Sequence, residues 1–410
     1  MRQIKLLLLA LFIPLLIHSQ ESVSDSIMVK FLSDKGIAIT TNNKAKLLMS
    51  GHDKFEDLFK EIKKAKHHVH LEYFNFRNDS IANALFKLLA IKAAEGVEVR
   101  ALFDAFGNWS NNKPLKKKHL KKIRKQGIEI VKFDPFYFPY INHAVKRDHR
   151  KIVVIDGKVG YTGGMNIADY YIHGLPKIGE WRDIHMKIEG GAVKQLQKIF
   201  LDTWNQETKQ KIGGPQYFPP ANIVTDSLQK EIAIVDRQPK ITPKAIRRSF
   251  VAAIDAAKEN IQIVNPYFIP TQTIKRAIRR ASKRGVHVEI MIPEKADIPF
   301  TPAASFYAAN KLRKHGASIY LFQAGFHHSK IMMIDNSFCT VGTANMNSRS
   351  LRYDYETNAF IFDDELTHQL NEMFEADKLN SKQLTEKVAK DRSAWKKFMS
   401  WFANLFTPVL

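Results

Sequence analysis

The sequence predicts an α/β protein written twice, as two similar domains that each form a mixed α/β layer, with an amphipathic helix at the C-terminus. Three observations carry that prediction. A helix–strand–helix–strand order recurs along the chain. In the first copy (57–104) a basic helix-like stretch precedes VHLEYFNF, a second helix-like stretch and GVEVRALFD; in the second (249–292) SFVAAIDAAKEN precedes IQIVNPYFIP, TIKRAIRRASKRG and VHVEIMIP. The strand-like runs are rich in β-branched residues, and a glycine closes the second helix-like run of each copy. A further strand-like run follows in both, VKFDPF and SIYLFQ, and then a polar cluster.

Those clusters are the second observation, because they align without gaps. The first reads DHRKIVVIDGKVGYTGGMNIAD and the second HHSKIMMIDNSFCTVGTANMNS. His149, Lys151, Asp156, Gly163 and Asn166 answer to His328, Lys330, Asp335, Gly342 and Asn345. Five matched positions inside matching flanks indicate duplication rather than accident. The third observation is bulk: 410 residues, 45% hydrophobic and 11% aromatic, are enough for two globular cores and exclude a disordered chain.

Taken in chain order, the first twenty residues, MRQIKLLLLALFIPLLIHSQ, follow their own rule. Arg2 and Lys5 precede an apolar run over 6–17, interrupted by Pro14, and a short polar stretch follows. Charge, length and order are those of a secretory signal, and the run is shorter than the roughly 20 apolar residues of a comfortable membrane span. Cleavage and retention as an N-terminal anchor both stay open. The first domain is expected over 37–212. A Pro- and Gly-rich stretch, GGPQYFPPANIVTD, opens a linker over 213–240, and the second domain follows over 241–385. The last segment, 386–410, steps Trp395, Phe398, Met399, Phe402, Leu405 and Phe406 by three and four, beside Lys396 and Lys397. Such a face suits either a membrane interface or a dock on the domain core.

The formal net charge of +22 attracts polyanions, either nucleic acid or an anionic membrane surface. The basic segments PLKKKHLKKIRK (114–125) and KRAIRRASKR (275–284) are solvated helix faces or headgroup-binding ones. Cys339 is the one cysteine, so no intrachain disulfide forms. Its apolar setting, SFCTVG, suits a small buried hydrophobe rather than a reactive thiol.

Within each cluster, IVVI and IMMI read as a short buried strand, and His and Lys, two residues apart, share a face. One such set is a weak site. Two sets facing each other have the parts of a phosphodiesterase: an imidazole to attack phosphorus, a second to protonate the leaving alcohol, and Lys151 and Lys330 to offset the phosphoryl oxygens. Asn166 and Asn345 would add neutral donors. A carboxylate beside each histidine would fix its tautomer, and Asp156 and Asp335 are the expected carboxylates. This chemistry calls for no metal or cofactor, and the motifs hold no ligand set at zinc-like spacing.

The paired H-x-K-x4-D-x6-G-[GST]-x-N motifs resemble the phospholipase D superfamily. A tighter similarity, over most of residues 37–410, is to bacterial cardiolipin synthases of the phospholipase D type. It rests on KAKHHVHLEYFNF with GVEVRALFDAFG, RDHRKIVVIDGKVGYTGGMNIAD, and EWRDIHMKIEGGAV with FLDTWN. In the second half it rests on NPYFIPTQTI, IMIPEKADIPF, AGFHHSK, GTANMNSRS, YETN and the terminal LFTPVL. The resemblance implies two phospholipase D-like mixed-sheet sandwich domains in a pseudo-two-fold arrangement. It also implies a phosphatidyl-histidine intermediate, with a phosphatidyl group passing from one phosphatidylglycerol to another and glycerol leaving. His149, Lys151, Asp156, His328, Lys330 and Asp335 are the implied catalytic residues; Asn166, Asn345 and Glu356 are the implied supporting, phosphate-binding ones. Implied partners are an anionic phospholipid and a membrane surface rather than nucleic acid, and the implied place is the periplasmic face of an inner membrane, peripheral or anchored. Two rival activities share the chemistry: hydrolysis to phosphatidic acid, and a secreted metal-independent nuclease. His327 and Tyr170 stand where the family usually has leucine and an acidic residue, and His327 alternates away from His328 as a structural side chain.

Overall fold

The protein is described by a computed structural model over residues 22–135, 145–220, 229–298 and 300–406. The expected signal or anchor segment, 1–20, lies outside these residues. The first half contributes β1 (Ile39–Leu48), β2 (His68–Tyr73), β3 (Glu98–Asp104), β4 (Glu129–Phe133), β5 (Ile152–Ile155), β6 (Val159–Gly163), β7 (Glu180–Arg182) and β8 (His185–Gly190). The second contributes β9 (Lys230–Arg237), β10 (Asn260–Val264), β11 (His287–Pro293), β12 (Ser318–Phe322), β13 (Gly325–His327), β14 (Ile331–Ile334), β15 (Phe338–Gly342), β16 (Glu356–Phe362) and β17 (Ser381–Gln383).

All but β7 and β13 join one mixed sheet, in the order β17-β12-β11-β10-β14-β15-β16-β9-β1-β8-β6-β5-β2-β3-β4. Its middle is the antiparallel pair β9–β1. Outward from that seam the strands correspond one to one: β16, β15, β14, β10, β11 and β12 on one side, β8, β6, β5, β2, β3 and β4 on the other. This is the pseudo-two-fold of the duplicated sequence. The parallel neighbours β2–β3 and β10–β11 are joined through helices Ser80–Ala94 and Gln272–Lys283, since parallel pairing needs a crossover.

Alternation along the strands divides the core. In β5, Val153 and Ile155 enter the outer core of the first half, whereas Ile152 and Val154 enter a central core. In β14, Met332 and Ile334 face the outer core of the second half, while Ile331 and Met333 join the same central core. IVVI and IMMI are therefore apolar throughout because both faces are covered. Helices Gly191–Thr208 and Asp364–Leu379 complete the central layer with Val193, Leu196, Leu370 and Phe374. The sheet folds across the seam, so that β6 and β15 approach each other although four strands separate them in the sheet order.

Three boundaries differ from expectation. The segment 213–240 contains β9, so the connection ends before Lys230; the nearby Pro and Gly residues masked the alternation in KEIAIVDR. Helix Val23–Asp34, upstream of the expected start at 37, packs Met28 and Leu32 into the second half's core. The C-terminal helix, Ala394–Leu405, docks through its small residues: Ala403 lies against Ala304 and Ile269, and Ser400 is buried. Its aromatic face points outward, with Trp395 67%, Phe398 46% and Trp401 49% exposed. The end of LFTPVL, from 407 on, is outside the described residues.

Asp156 and Asp335 serve the sheet. Each follows its buried strand in a left-handed conformation, with φ of 54° and 49°. Asp156 accepts the backbone N–H groups of Lys66 (2.9 Å), His67 (2.8 Å) and His68 (3.0 Å). Asp335 accepts those of Lys258 (2.7 Å), Glu259 (2.8 Å) and Asn260 (2.9 Å). Each carboxylate thus ties the start of β2 or β10 to the end of β5 or β14, at the end of that strand away from its histidine. Asp156→Ala or Asp335→Ala leaves three donors without their acceptor and is expected to lower unfolding stability by about 2–4 kcal/mol. Urea unfolding checks this, and an unchanged midpoint would contradict the capping role.

Candidate active site

The histidines arrive on matching segments that cross between the halves. Residues 147–149 run beside 354–356: Tyr355 N donates to the Arg147 carbonyl (2.8 Å) and His149 N to the Tyr355 carbonyl (3.0 Å). In the same way β13 pairs in parallel with β7, and His328 N donates to the Arg182 carbonyl (2.6 Å). Each histidine is therefore aligned by backbone from the opposite half.

That crossing sets the carboxylates. His149 Nδ1 lies 3.1 Å from both carboxylate oxygens of Glu356, and His328 Nδ1 lies 2.6 Å from Asp183 Oδ2. Glu356 and Asp183 hold equivalent places, two residues before Asn358 and His185, which pair with Gly342 and Gly163. A carboxylate at Nδ1 draws the proton there and leaves Nε2 with its lone pair free. Glu356 is further held by the Thr343 hydroxyl (2.5 Å).

The lysines sit between these pairs. Lys151 Nζ donates to the His149 carbonyl (2.7 Å), and Lys330 Nζ donates to the His328 carbonyl. Both are buried, as are Glu356 and Asp183. Burial pushes Lys151 down to about 7 and Lys330 to about 8, against the pull of Glu356 and Asp183. Burial also pushes His149 down to about 4 and His328 to about 3, and each imidazole is repelled by lysines of both halves. Burial favours the neutral acid form of Glu356 and Asp183, but the neighbouring imidazoles and ammonium groups outweigh it and hold both carboxyls below their usual range. The mutual influence of Lys151, Lys330, Glu356 and Asp183 makes this one site rather than two.

Asn166 and Asn345 are nearly buried, with Nδ2 groups 3.5 Å from the Tyr171 hydroxyl and 3.4 Å from Ser350 Oγ, and each Oδ1 has no hydrogen-bond partner among the described residues. Gly163 permits the turn before Asn166: its φ is 145°, and a Cβ there would lie 2.6 Å from His185 Cα. Aromatic rings wall the imidazoles, Phe74 at 5.1 Å from His149, and Trp181 and Phe326 at 5.4 and 5.3 Å from His328. His327 faces away and binds Asp377 Oδ2 at 2.9 Å, a structural contact. Tyr170 packs tilted against Trp181, ring centres 4.4 Å apart, in the same wall.

The structure thus moves two expected roles. Asp156 and Asp335 lie away from the histidines, in the strand-end caps described above. Glu356 orients His149, and as an anion it repels phosphate rather than binding it. Three contributors were not read from the sequence. Asp183 lies in EWRDIHMKIEG, where only its alignment with YETN would have revealed it. Arg150, the middle residue of the first H-x-K, is buried and spans the seam, with Nε and Nη2 each 2.8 Å from Asp236. Lys54 is a buried amine, its basicity lowered by burial, that donates to the carbonyls of Met165 (3.0 Å) and Asn166 (2.9 Å), fixing the asparagine turn.

Known proteins resemble this chain in sequence and in fold. The family described as "Cardiolipin synthase, PLD-like domain" matches residues 58–204 and 250–378, the two copies. A cardiolipin synthase of Listeria monocytogenes serotype 4b is 37% identical over 382 residues, covering 92% of this chain and 78% of that protein. Cardiolipin synthase 1 of Staphylococcus epidermidis is 38% identical over 375 residues, 91% of this chain and 75% of its own. The crystal structure of a phosphatidylserine synthase from Haemophilus influenzae superposes with a TM-score of 0.73 over 94% of this chain and 100% of its own, at 13% identity, a likeness of fold. With the duplication, the matched pair of motifs and relatives of this identity, the chain belongs to the phospholipase D superfamily, in the family of cardiolipin synthases.

Proposed function

We propose that this protein is a phosphatidyltransferase of the cardiolipin synthase type, joining two phosphatidylglycerol molecules through a phosphohistidine and releasing glycerol. The observation that carries the reading is the pair of crossed imidazole–carboxylate contacts around Lys151 and Lys330. Burial leaves both rings neutral, so a free Nε2 is available for attack on phosphorus. The P–N bond forms as the bond to the glycerol oxygen breaks, and the other imidazole gives that oxygen a proton. A bound phosphodiester anion favours the imidazolium this step needs, and it restores charge to lysines that burial has weakened. The acceptor's hydroxyl then passes its proton to the same imidazole while its oxygen displaces the histidine nitrogen from phosphorus. The carboxylates stabilise each imidazolium in turn.

The substrate class and the setting are read together. The protein's net charge of +22 suits an anionic lipid, and the outward aromatic face of helix Ala394–Leu405, flanked by Lys396 and Lys397, suits a bilayer interface. Ile298 and Phe300, also exposed, extend that apolar surface toward Trp395 and Met399. In the loop before them, Asp297 binds the Tyr267 hydroxyl at 2.5 Å, and Tyr267 stands 6.0 Å from His328. The apolar surface therefore leads to the site. The signal-like sequence at the N-terminus favours export and action at the periplasmic face of the inner membrane.

Two measurements check this reading. Purified protein given phosphatidylglycerol is expected to yield cardiolipin and free glycerol, resolved by lipid chromatography; phosphatidic acid with no cardiolipin would make it a lipase instead. Replacing Trp395, Phe398 and Trp401 together by serine is expected to lower the fraction that cosediments with phosphatidylglycerol vesicles about tenfold, from the loss of apolar contact with the bilayer. Full vesicle binding by the folded triple variant would contradict the role of this face.

A further inference from the structure

A group of arginines lies beside the Glu356–His149 pair. Arg237 ends β9 and is the register partner of Glu356, so the two leave the sheet at the same end. Its side chain is fully buried and donates one Nη to the Asp354 carbonyl, while Nε and Nη2 have no hydrogen-bond partner among the described residues. Helix Ala245–Ala256 starts at this end, bringing Arg247 and Arg248 in its first turn, and helix Ser348–Arg352 closes on Arg352 just before Glu356. Burial weakens the hold of Arg247 on a proton and repulsion from Arg352 and Arg248 adds to it; Arg247 in turn repels Arg237, against the pull of Glu356 and Asp354.

Some arginines elsewhere are paired: Arg150 meets Asp236, and Arg280 meets Asp255. The side chains of Arg247, Arg248 and Arg352 make no hydrogen bond or ion pair with any described residue. The carboxylates of Glu356 and Asp354 act on Arg237, whereas Arg247 has only like charges as its charged neighbours, so this end of the group favours an added anion, and the start of a twelve-residue helix adds its own positive potential. The first half lacks the feature. The two aspartate caps match Lys66 with Lys258, and that correspondence puts Phe55 where the second half has Arg247.

We propose that Arg247 and Arg352, backed by Arg237, form a second anion subsite that holds the phosphodiester of the acceptor phospholipid while its headgroup hydroxyl reaches the phosphorus on the histidine. The inference rests on the phosphatidyltransferase reading above and adds to it how the acceptor is chosen. A phosphatidylglycerol acceptor carries its own phosphate one glycerol away from the reacting oxygen. Water and simple alcohols carry none. A guanidinium pair on the Glu356 side of the site therefore favours lipid over water, and its presence on one side only of a pseudo-symmetric site gives donor and acceptor different places.

The test is a competition. Short-chain phosphatidylglycerol, kept below its micelle concentration so that no membrane is involved, is offered with ethanol as a phosphate-free acceptor. In the Arg247→Gln/Arg352→Gln double variant the ratio of cardiolipin to phosphatidylethanol is expected to fall about tenfold or more, from loss of two charge-assisted contacts. The Arg247→Lys/Arg352→Lys variant keeps the charge and is expected to recover part of the ratio. An unchanged ratio in the folded Gln variant overturns the subsite, and if vesicle binding falls instead, the arginines serve the bilayer and not the acceptor. A wild-type protein that makes phosphatidylethanol but no cardiolipin overturns the underlying reading as well, an outcome distinct from the other two.

Discussion

Each imidazole of this site is held by a carboxylate from the other half of the chain, and most of the architecture serves that exchange. Glu356 reaches His149 and Asp183 reaches His328 because the segments carrying the histidines pair, backbone to backbone, with the segments carrying the carboxylates. Neither copy of the duplicated fold holds a complete site. The seam between β9 and β1, the shared central core and the buried Arg150–Asp236 pair fix the halves at the spacing the crossing needs. Duplication thus supplies two equal sets of groups, and the crossing makes them one reaction centre.

The same arrangement explains how charged groups persist in so buried a place. Lys151, Lys330, Glu356 and Asp183 are all shielded from solvent, a situation tolerated only when opposite charges and hydrogen bonds compensate. Here the compensation is incomplete by design of the chemistry: the lysines have lost part of their basicity, and both imidazoles are neutral. A phosphodiester anion supplies what is missing. Binding and activation are then the same electrostatic event.

Much of this was legible in the residues. The repeat, the buried strands IVVI and IMMI, and the shared face of each His–Lys pair follow from spacing and alternation, and they lead to the α/β duplication observed. What spacing does not carry is contact between distant segments. Asp156 and Asp335 sit in every copy of the motif, so they read as catalytic, yet their regularity reflects a turn that three backbone N–H groups require. Glu356 and Asp183 each follow soon after a cluster, but they lie 207 and 145 residues along the chain from the histidines they meet, and only their equivalent strand positions connect them. β9 was hidden for a different reason, because its alternation follows directly on a Pro- and Gly-rich stretch. The C-terminal helix shows the limit of periodicity: the aromatic stripe is real, but the small residues on the opposite face decided which side docks.

The account's central claim is the crossing itself, and proton NMR of the imidazoles tests it most directly. A histidine Nδ1–H bonded to a buried carboxylate gives a resonance far downfield of ordinary amides, and the wild-type protein should show one for each ring. Glu356→Gln should remove the signal of His149 alone and Asp183→Asn that of His328 alone. If instead both signals survive those changes and disappear in Asp156→Asn or Asp335→Asn, each histidine is oriented within its own half, and the crossed site does not exist.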